Sequence, residues 1–270
     1  MVNLFSIGLA SEFAASSVRD DNGETVFTSD ELRWFSTNSY NLGVIHVTSW
    51  EPGRLASLFK SCLVFTQAAL SSDADAVDAA QDTFIMLRCH FILASLYISE
   101  AQIIKNEHTQ SLYADVEHHA TEFVHVLVHD QGSAAANCPD LLQKLGILCA
   151  FQFEALLYRQ FFDHLPCVIK QARLCKDANV LKALGGCLIR SDAPVQVKSS
   201  LLKSIVNETF EVEKFDSARL AQYLRCMVHV LLPLVEHDFL ALELLDQAIV
   251  VADQSKEVRE TKTMTIPWSL

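Results

Sequence analysis

Glycine and proline are scarce in this 270-residue chain, at 8 and 6 residues. Sandwiches and barrels need turn residues every few positions, so the scarcity argues for long helices rather than many short strands. Positive charge is also in short supply. Lys and Arg together number 21 against 33 acidic residues, for a net charge of -12, and the basic residues are scattered singly. Nucleic-acid binders gain affinity by neutralising phosphates with a basic stripe, and polybasic segments hold anionic membranes in the same way. Neither partner is expected here. Familiar catalytic signatures are missing too. There is no G-x-G-x-x-G, no G-x-x-x-x-G-K-[ST] and no G-x-S-x-G in the chain, so dinucleotide, phosphate-loop and nucleophile-elbow chemistry lose their usual carriers. Gly185-Gly186 falls inside a helical pattern from Asn179 to Ile189 without the Lys and Ser/Thr of a phosphate loop. Close helix packing is the better reading of that pair.

No two cysteines have the C-x-x-C spacing of a zinc ribbon or a redox motif. The 8 cysteines are Cys62, Cys89, Cys138, Cys149, Cys167, Cys175, Cys187 and Cys226. Most lie in apolar runs such as Gly146-Ile147-Leu148-Cys149-Ala150-Phe151, the setting of buried thiols in a reducing compartment. The mildly apolar stretch from Leu4 to Ala15 is interrupted by Ser6, Ser11 and Glu12, and no basic residue precedes Arg19. A secretory signal is therefore not expected. No stretch approaches the ~20 apolar residues that a bilayer crossing needs. The expectation is an intracellular, soluble chain.

What is present is apolar residue at helical spacing. Half the chain is apolar, enough for a substantial core. Leu55, Leu58, Phe59, Cys62 and Leu63 recur in steps of three and one, which places them on one helix face. Leu220, Tyr223, Leu224, Met227, Val228, Leu231, Leu232 and Val235 repeat the pattern, as do Leu242, Leu245, Ala248, Ile249 and Ala252. Phe84 to Ala101 is apolar nearly all round and reads as a central helix covered on several sides. Breaks fall at Asp20–Gly23, Glu51-Pro52-Gly53, Ser71–Asp73, Asp130–Ser133, Asp163–Pro166, Ser191–Pro194 and His237-Asp238. Thr28 stands three residues before Glu31, the spacing of a capping box. Asp192 before Pro194 and Asn137 before Pro139 suit the first turn of a helix. Long helices joined by short polar turns predict an all-α fold of stacked helical hairpins, a TPR-like α-solenoid. An irregular helical bundle is the alternative. The layout is an N-terminal segment over 1–28, a helical-repeat domain over 29–256 and a tail over 257–270.

One stripe could carry metal chemistry. Asp115, His118, Glu122, His125 and His129 lie within about 80° of one another on a helix, and His125-x-x-x-His129 has the spacing of a zinc chelate. Yet the H-E-x-x-H pattern is absent, because His118 is followed by His119 and Ala120. The opposite face holds Tyr113, Val116, Ala120, Phe123 and Leu127, so the stripe reads as the solvated side of an amphipathic helix. No residue is assigned a catalytic, cofactor-binding or metal-ligating role, and no cofactor is expected.

Two long segments carry a family resemblance. The first runs Glu31-Leu32-Arg33-Trp34-Phe35-Ser36-Thr37-Asn38-Ser39-Tyr40-Asn41-Leu42, through Trp50-Glu51-Pro52 to Phe65, with Arg88-Cys89-His90-Phe91-Ile92-Leu93-Ala94 beyond. The second runs Ser191-Asp192-Ala193-Pro194, then Ile205-Val206-Asn207-Glu208-Thr209, then Phe215-Asp216-Ser217-Ala218-Arg219-Leu220-Ala221-Gln222-Tyr223-Leu224-Arg225-Cys226. In type, order and spacing these resemble the C-terminal part of the fungal sporulation-specific family called Spo-twenty-two or Zip-four. Its animal relatives are of the testis-expressed-eleven type. The resemblance covers most of 29–256 and is thinnest between about 105 and 140.

The resemblance implies a non-enzymatic scaffold of meiosis, with no catalytic residues to carry over. It would sit in the nucleus on meiotic chromosomes, promote crossovers and help the synaptonemal complex assemble. Its partners would be proteins: meiotic crossover factors (nuclease-like structure-recognition proteins and a RING-type SUMO-ligase factor) and chromosome axis proteins. That family continues with a Glu-Leu-Glu-Trp-Leu type hairpin where this chain reads Ile266-Pro267-Trp268-Ser269-Leu270, and it carries long N-terminal repeats. A fragment or truncated gene model is therefore expected. The alternatives are a helical-repeat adaptor of another intracellular complex and a helical metal-dependent enzyme built on the His118–His129 stripe.

Overall fold

The computed structural model describes residues 27–71, 76–104, 106–129 and 138–212, together with positions 7, 8, 10, 11, 223 and 246. Among the described residues all regular structure is helical, with no strand. The chain divides into two compact units, Met1–Arg159 and Gln160–Leu270, within the span that the sequence reads as one repeat domain. Gln160 takes a left-handed φ of 61°, a conformation that does not continue a right-handed helix.

The first unit holds α1 (Ser29–His46), α2 (Pro52–Leu70), α3 (Ala76–Ile103), α4 (Thr109–His129) and α5 (Pro139–Tyr158). The capping box is present at the start of α1. The Glu31 N–H donates to Thr28 Oγ1 at 3.3 Å, and the Thr28 N–H donates to Glu31 Oε2 at 2.8 Å. Helices α2 and α5 open on Pro52 and Pro139, whose missing N–H costs nothing there. The cap of α5 is Cys138, without a side-chain hydrogen bond. Between α1 and α2, Trp50 stacks on His46 with centroids 4.3 Å apart, and the Arg54 guanidinium lies 4.9 Å from the Trp50 ring.

Consecutive helices of this unit pack on one another, and α3 touches α1, α2, α4 and α5. It is the covered central helix expected from the apolar run at Phe84–Ala101. Leu87, Cys89, Leu93 and Ala94 are fully buried along it. Helix α2 is buried in two directions. Its Phe59 and Cys62 join a cluster with Leu93 and Val116, while its Leu58 and Phe65 join Leu32 of α1 and Ile7. The sequence-predicted stripe Leu55, Leu58, Phe59, Cys62 and Leu63 is buried throughout.

Two helices correct the expectation about bilayer spans. Ala79–Ile103 and Pro139–Tyr158 are long and apolar enough to cross a membrane by length and composition. A count of uninterrupted apolar residues misses them because isolated polar residues break the runs without lowering the mean hydropathy far. In the fold, half of each apolar window is buried inside the protein, the pattern of a core helix as well.

The second unit holds α6 (Leu165–Ala172), α7 (Ala178–Arg190) and α8 (Val195–Val212), with short 3₁₀ turns at Phe162–His164 and Arg173–Cys175. Helix α8 packs on both α6 and α7. Lys176 adopts a left-handed φ of 52° ahead of α7. Asp177 then caps that helix by accepting from the Asn179 N–H at 2.9 Å. The stripes at Leu220–Val235 and Leu242–Ala252 and the tail 257–270 lie outside the described residues, apart from positions 223 and 246.

Burial of the thiols is less general than expected. Cys62, Cys89 and Cys149 are buried, Cys138, Cys175 and Cys187 are half-buried, and Cys167 is exposed. The close approach expected at Gly185-Gly186 also falls elsewhere. A Cβ on Gly185 would meet Ile205 and Leu202 of α8 at 3.8 and 3.9 Å, ordinary contact distances. On Gly43 of α1 it would lie 2.5 Å from the ring tip of Phe59, which is 0% exposed and has no room to retreat. Gly43→Ala should therefore lower stability by about 1–3 kcal/mol through overpacking. Gly185→Ala should leave it unchanged or raise it by about 0.5–1 kcal/mol through helix propensity. Urea unfolding midpoints of the two variants check the contrast, and equal effects would contradict the packing described.

Candidate functional site

The buried stripe of α2 leaves Ser57, Lys60, Ser61 and Val64 on another part of the helix. There they border an open cleft of about 610 Å³. Helix α3 contributes Tyr97 and Glu100 to it, and α4 contributes Leu112 and Asp115, with His108 just before α4. The cleft thus carries Lys60 and His108 beside two carboxylates, over a partly apolar floor. Lys60 Nζ lies 5.3 Å from the centroid of the Tyr97 ring. Hydrogen bonding to the Tyr97 side chain raises the Lys60 pKa against the effect of burial, with Asp115 adding to the rise. Burial raises the Tyr97 pKa as well. At neutral pH the pair is an ammonium and a neutral phenol, suited to holding a ligand rather than to removing a proton.

Tyr97 connects this cleft to a buried pair of imidazoles. Its ring stacks on His119 with centroids 5.8 Å apart and planes at 7°. His119 Nδ1 lies 3.0 Å from His90 Nδ1, and the two residues are 5% and 2% exposed. A hydrogen bond between two Nδ1 atoms requires one to carry the proton and the other to present its lone pair. Burial, helped by nearby His118, lowers the His90 pKa to about 4. Burial, followed by His90, His118 and Lys60, lowers that of His119 to about 3. Both rings are therefore neutral at physiological pH. His90 Nε2 is buried without a hydrogen-bond partner, a cost that the Nδ1 pairing must offset.

The residue before His90 makes a second polar contact. The Cys89 thiol donates to Cys62 Sγ at 3.5 Å. Ser36 Oγ lies 3.5 Å from that same sulfur and 2.7 Å from Thr66 Oγ1.

The metal-like stripe sits on α4 as the periodicity predicts. Tyr113, Val116, Ala120, Phe123 and Leu127 are buried on the opposite face. His118 and His125 are exposed, Asp115 and Glu122 are half-buried, and His129 is the last residue of the helix. Among the described residues, no group of three or more His, Cys, Asp or Glu side chains is placed to hold a metal ion. The structure singles out His119 instead, one position off the stripe. Its signal was present in the sequence. Val116, His119 and Phe123 are spaced by three and four, which puts His119 in the buried register. His90, a lone imidazole in the apolar run of α3, was its counterpart. Neither His90 nor His119 lines the cleft.

No protein-family model, no curated protein and no solved structure matches this chain.

The imidazole pair makes stability depend on pH. In the unfolded chain both rings titrate near 6.5, while in the fold they titrate near 4 and 3. Below pH 6.5 the unfolded chain takes up protons that the fold refuses. Stability is thus full above that value and falls as pH drops towards about 3, by up to about 1.4 kcal/mol per pH unit for each ring. Urea unfolding between pH 7.5 and 4 should show the decline, flattened in a His90→Leu, His119→Leu chain. An identical slope in both chains would place its origin elsewhere.

Proposed function

We propose that this chain is a non-enzymatic helical scaffold that binds other proteins, and that its setting is meiotic recombination in the nucleus. There it promotes crossover formation and synaptonemal complex assembly by holding crossover factors and chromosome axis proteins. The observation that carries the scaffold reading is the cleft over α2, α3 and α4. Lys60 and His108 stand with Glu100 and Asp115 around Tyr97 and Leu112, a mixture of both charges and apolar surface that suits a polypeptide segment. A polyanion would instead demand an excess of cations, and the chain has a net charge of -12.

The meiotic setting rests on the ordered residues from Glu31 to Phe65, from Arg88 to Ala94 and from Ser191 to Cys226, through their resemblance to the Spo-twenty-two family. A helical-repeat adaptor of a different assembly would use the same cleft with other partners.

Affinity purification of the full chain from meiotic cells distinguishes these readings, with a Lys60→Glu, Asp115→Lys variant alongside. Crossover and axis proteins should copurify with the original chain. Their recovery should fall at least tenfold with the variant, while its helical circular dichroism is unchanged. Equal recovery with both chains would remove the cleft as the binding surface. Recovery of a cytoplasmic assembly without meiotic proteins would favour the adaptor.

A further inference from the structure

The interior between α1, α2 and α3 contains a polar group that the scaffold role does not use. Ser36, Cys62, Thr66 and Cys89 are each 0% exposed, yet their side chains meet one another rather than apolar neighbours alone. Thr66 Oγ1 donates to the Cys62 carbonyl at 2.8 Å, and the Cys62 thiol lies 3.4 Å from the Ser36 carbonyl. Polarity in a helical core costs free energy unless it is paired. Here the pairing converges on one sulfur. The Cys62 and Cys89 sulfurs are 3.5 Å apart on packed neighbouring helices. A disulfide needs about 2.05 Å, so closure must draw the two sulfurs together by about 1.5 Å.

We propose that Cys62 and Cys89 are an oxidisable dithiol that closes to a disulfide between α2 and α3 on exposure to hydrogen peroxide. Cys62 is the attacking sulfur. Hydrogen bonding from Cys89, then from Ser36 and Thr66, lowers its pKa despite burial, whereas burial raises that of Cys89. The Cys62 thiolate attacks one peroxide oxygen and the O–O bond breaks. Cys62 becomes a sulfenic acid, and the departing hydroxide takes up a proton to give water. The Cys89 sulfur then attacks the Cys62 sulfur, losing its own proton. The S–O bond breaks and a second water leaves. Two thiols have together lost two electrons, and one peroxide has gained them. Peroxide is close to water in size and reaches the pair through local opening of the helices.

Peptide mapping of the full chain after peroxide treatment, denaturation and thiol alkylation tests this. The expected product joins the Cys62 and Cys89 peptides, is two hydrogens lighter than the separate thiols, and is reversed by a thiol reductant. In a Cys89→Ser chain, Cys62 should halt at the sulfenic acid and be captured by a sulfenic-acid-specific probe. If exposed Cys167 is fully oxidised while Cys62 and Cys89 are still recovered as alkylated thiols, the proposal is overturned. Recovery of Cys62 bonded to a different cysteine would overturn it equally.

Discussion

The burial of α3 by several neighbours at once constrains everything else in the first unit. A helix apolar nearly all round must bury more than one side, so α1, α2, α4 and α5 all pack against it. Its buried polar side chains then need partners inside the protein, and four of them reach surrounding helices. Asp82 accepts from Arg33 Nε of α1 at 3.1 Å. Cys89 reaches Cys62 of α2, and His90 reaches His119 of α4. Tyr97 takes Lys60 of α2 over one face of its ring and stacks on His119. Apolar packing tolerates small slides of one helix along another, because one methyl substitutes for the next. These pairs do not, since a slide of one turn would leave a buried donor or acceptor unmatched. The hydrophobic effect brings the helices together, and the polar pairs fix their register.

This division of labour explains what the sequence could reveal. Periodicity reports which face of a helix is buried, and it reported this well. The stripe from Leu55 to Leu63 and the face from Tyr113 to Leu127 lie inside as expected, and so does the side of α3 that holds Leu87, Leu93 and Ala94, while Arg88 and Ser99 on its other side are exposed. The capping box at Thr28 and Glu31 was equally legible, because its chemistry is local. Periodicity does not report which neighbour a buried face meets. The contacts of His90 with His119 and of Cys62 with Cys89 join residues far apart in the chain, and no local rule pairs them. The same limit explains the glycines. Gly185-Gly186 is the conspicuous doublet in the sequence, but the tightest approach belongs to Gly43, whose neighbour Phe59 lies on the next helix.

The cleft and the interior are linked by Tyr97, which borders the one and stacks on the imidazole pair of the other. A segment bound against Lys60 and Tyr97 would rest on a ring whose opposite contact is a neutral, buried histidine. The pair is uncharged at neutral pH. A preorganised surface loses less conformational freedom on binding than a mobile one, which suits a protein whose proposed task is to hold others in place.

Native-state hydrogen exchange on the full chain tests the central role of α3 most directly. Amides from Met86 to Ala101 should be the slowest of the first unit. The partly exposed α1 should open at lower free energy. If the α3 amides exchange as fast as those of α1, the helix is not the centre on which the unit is built, and the account fails.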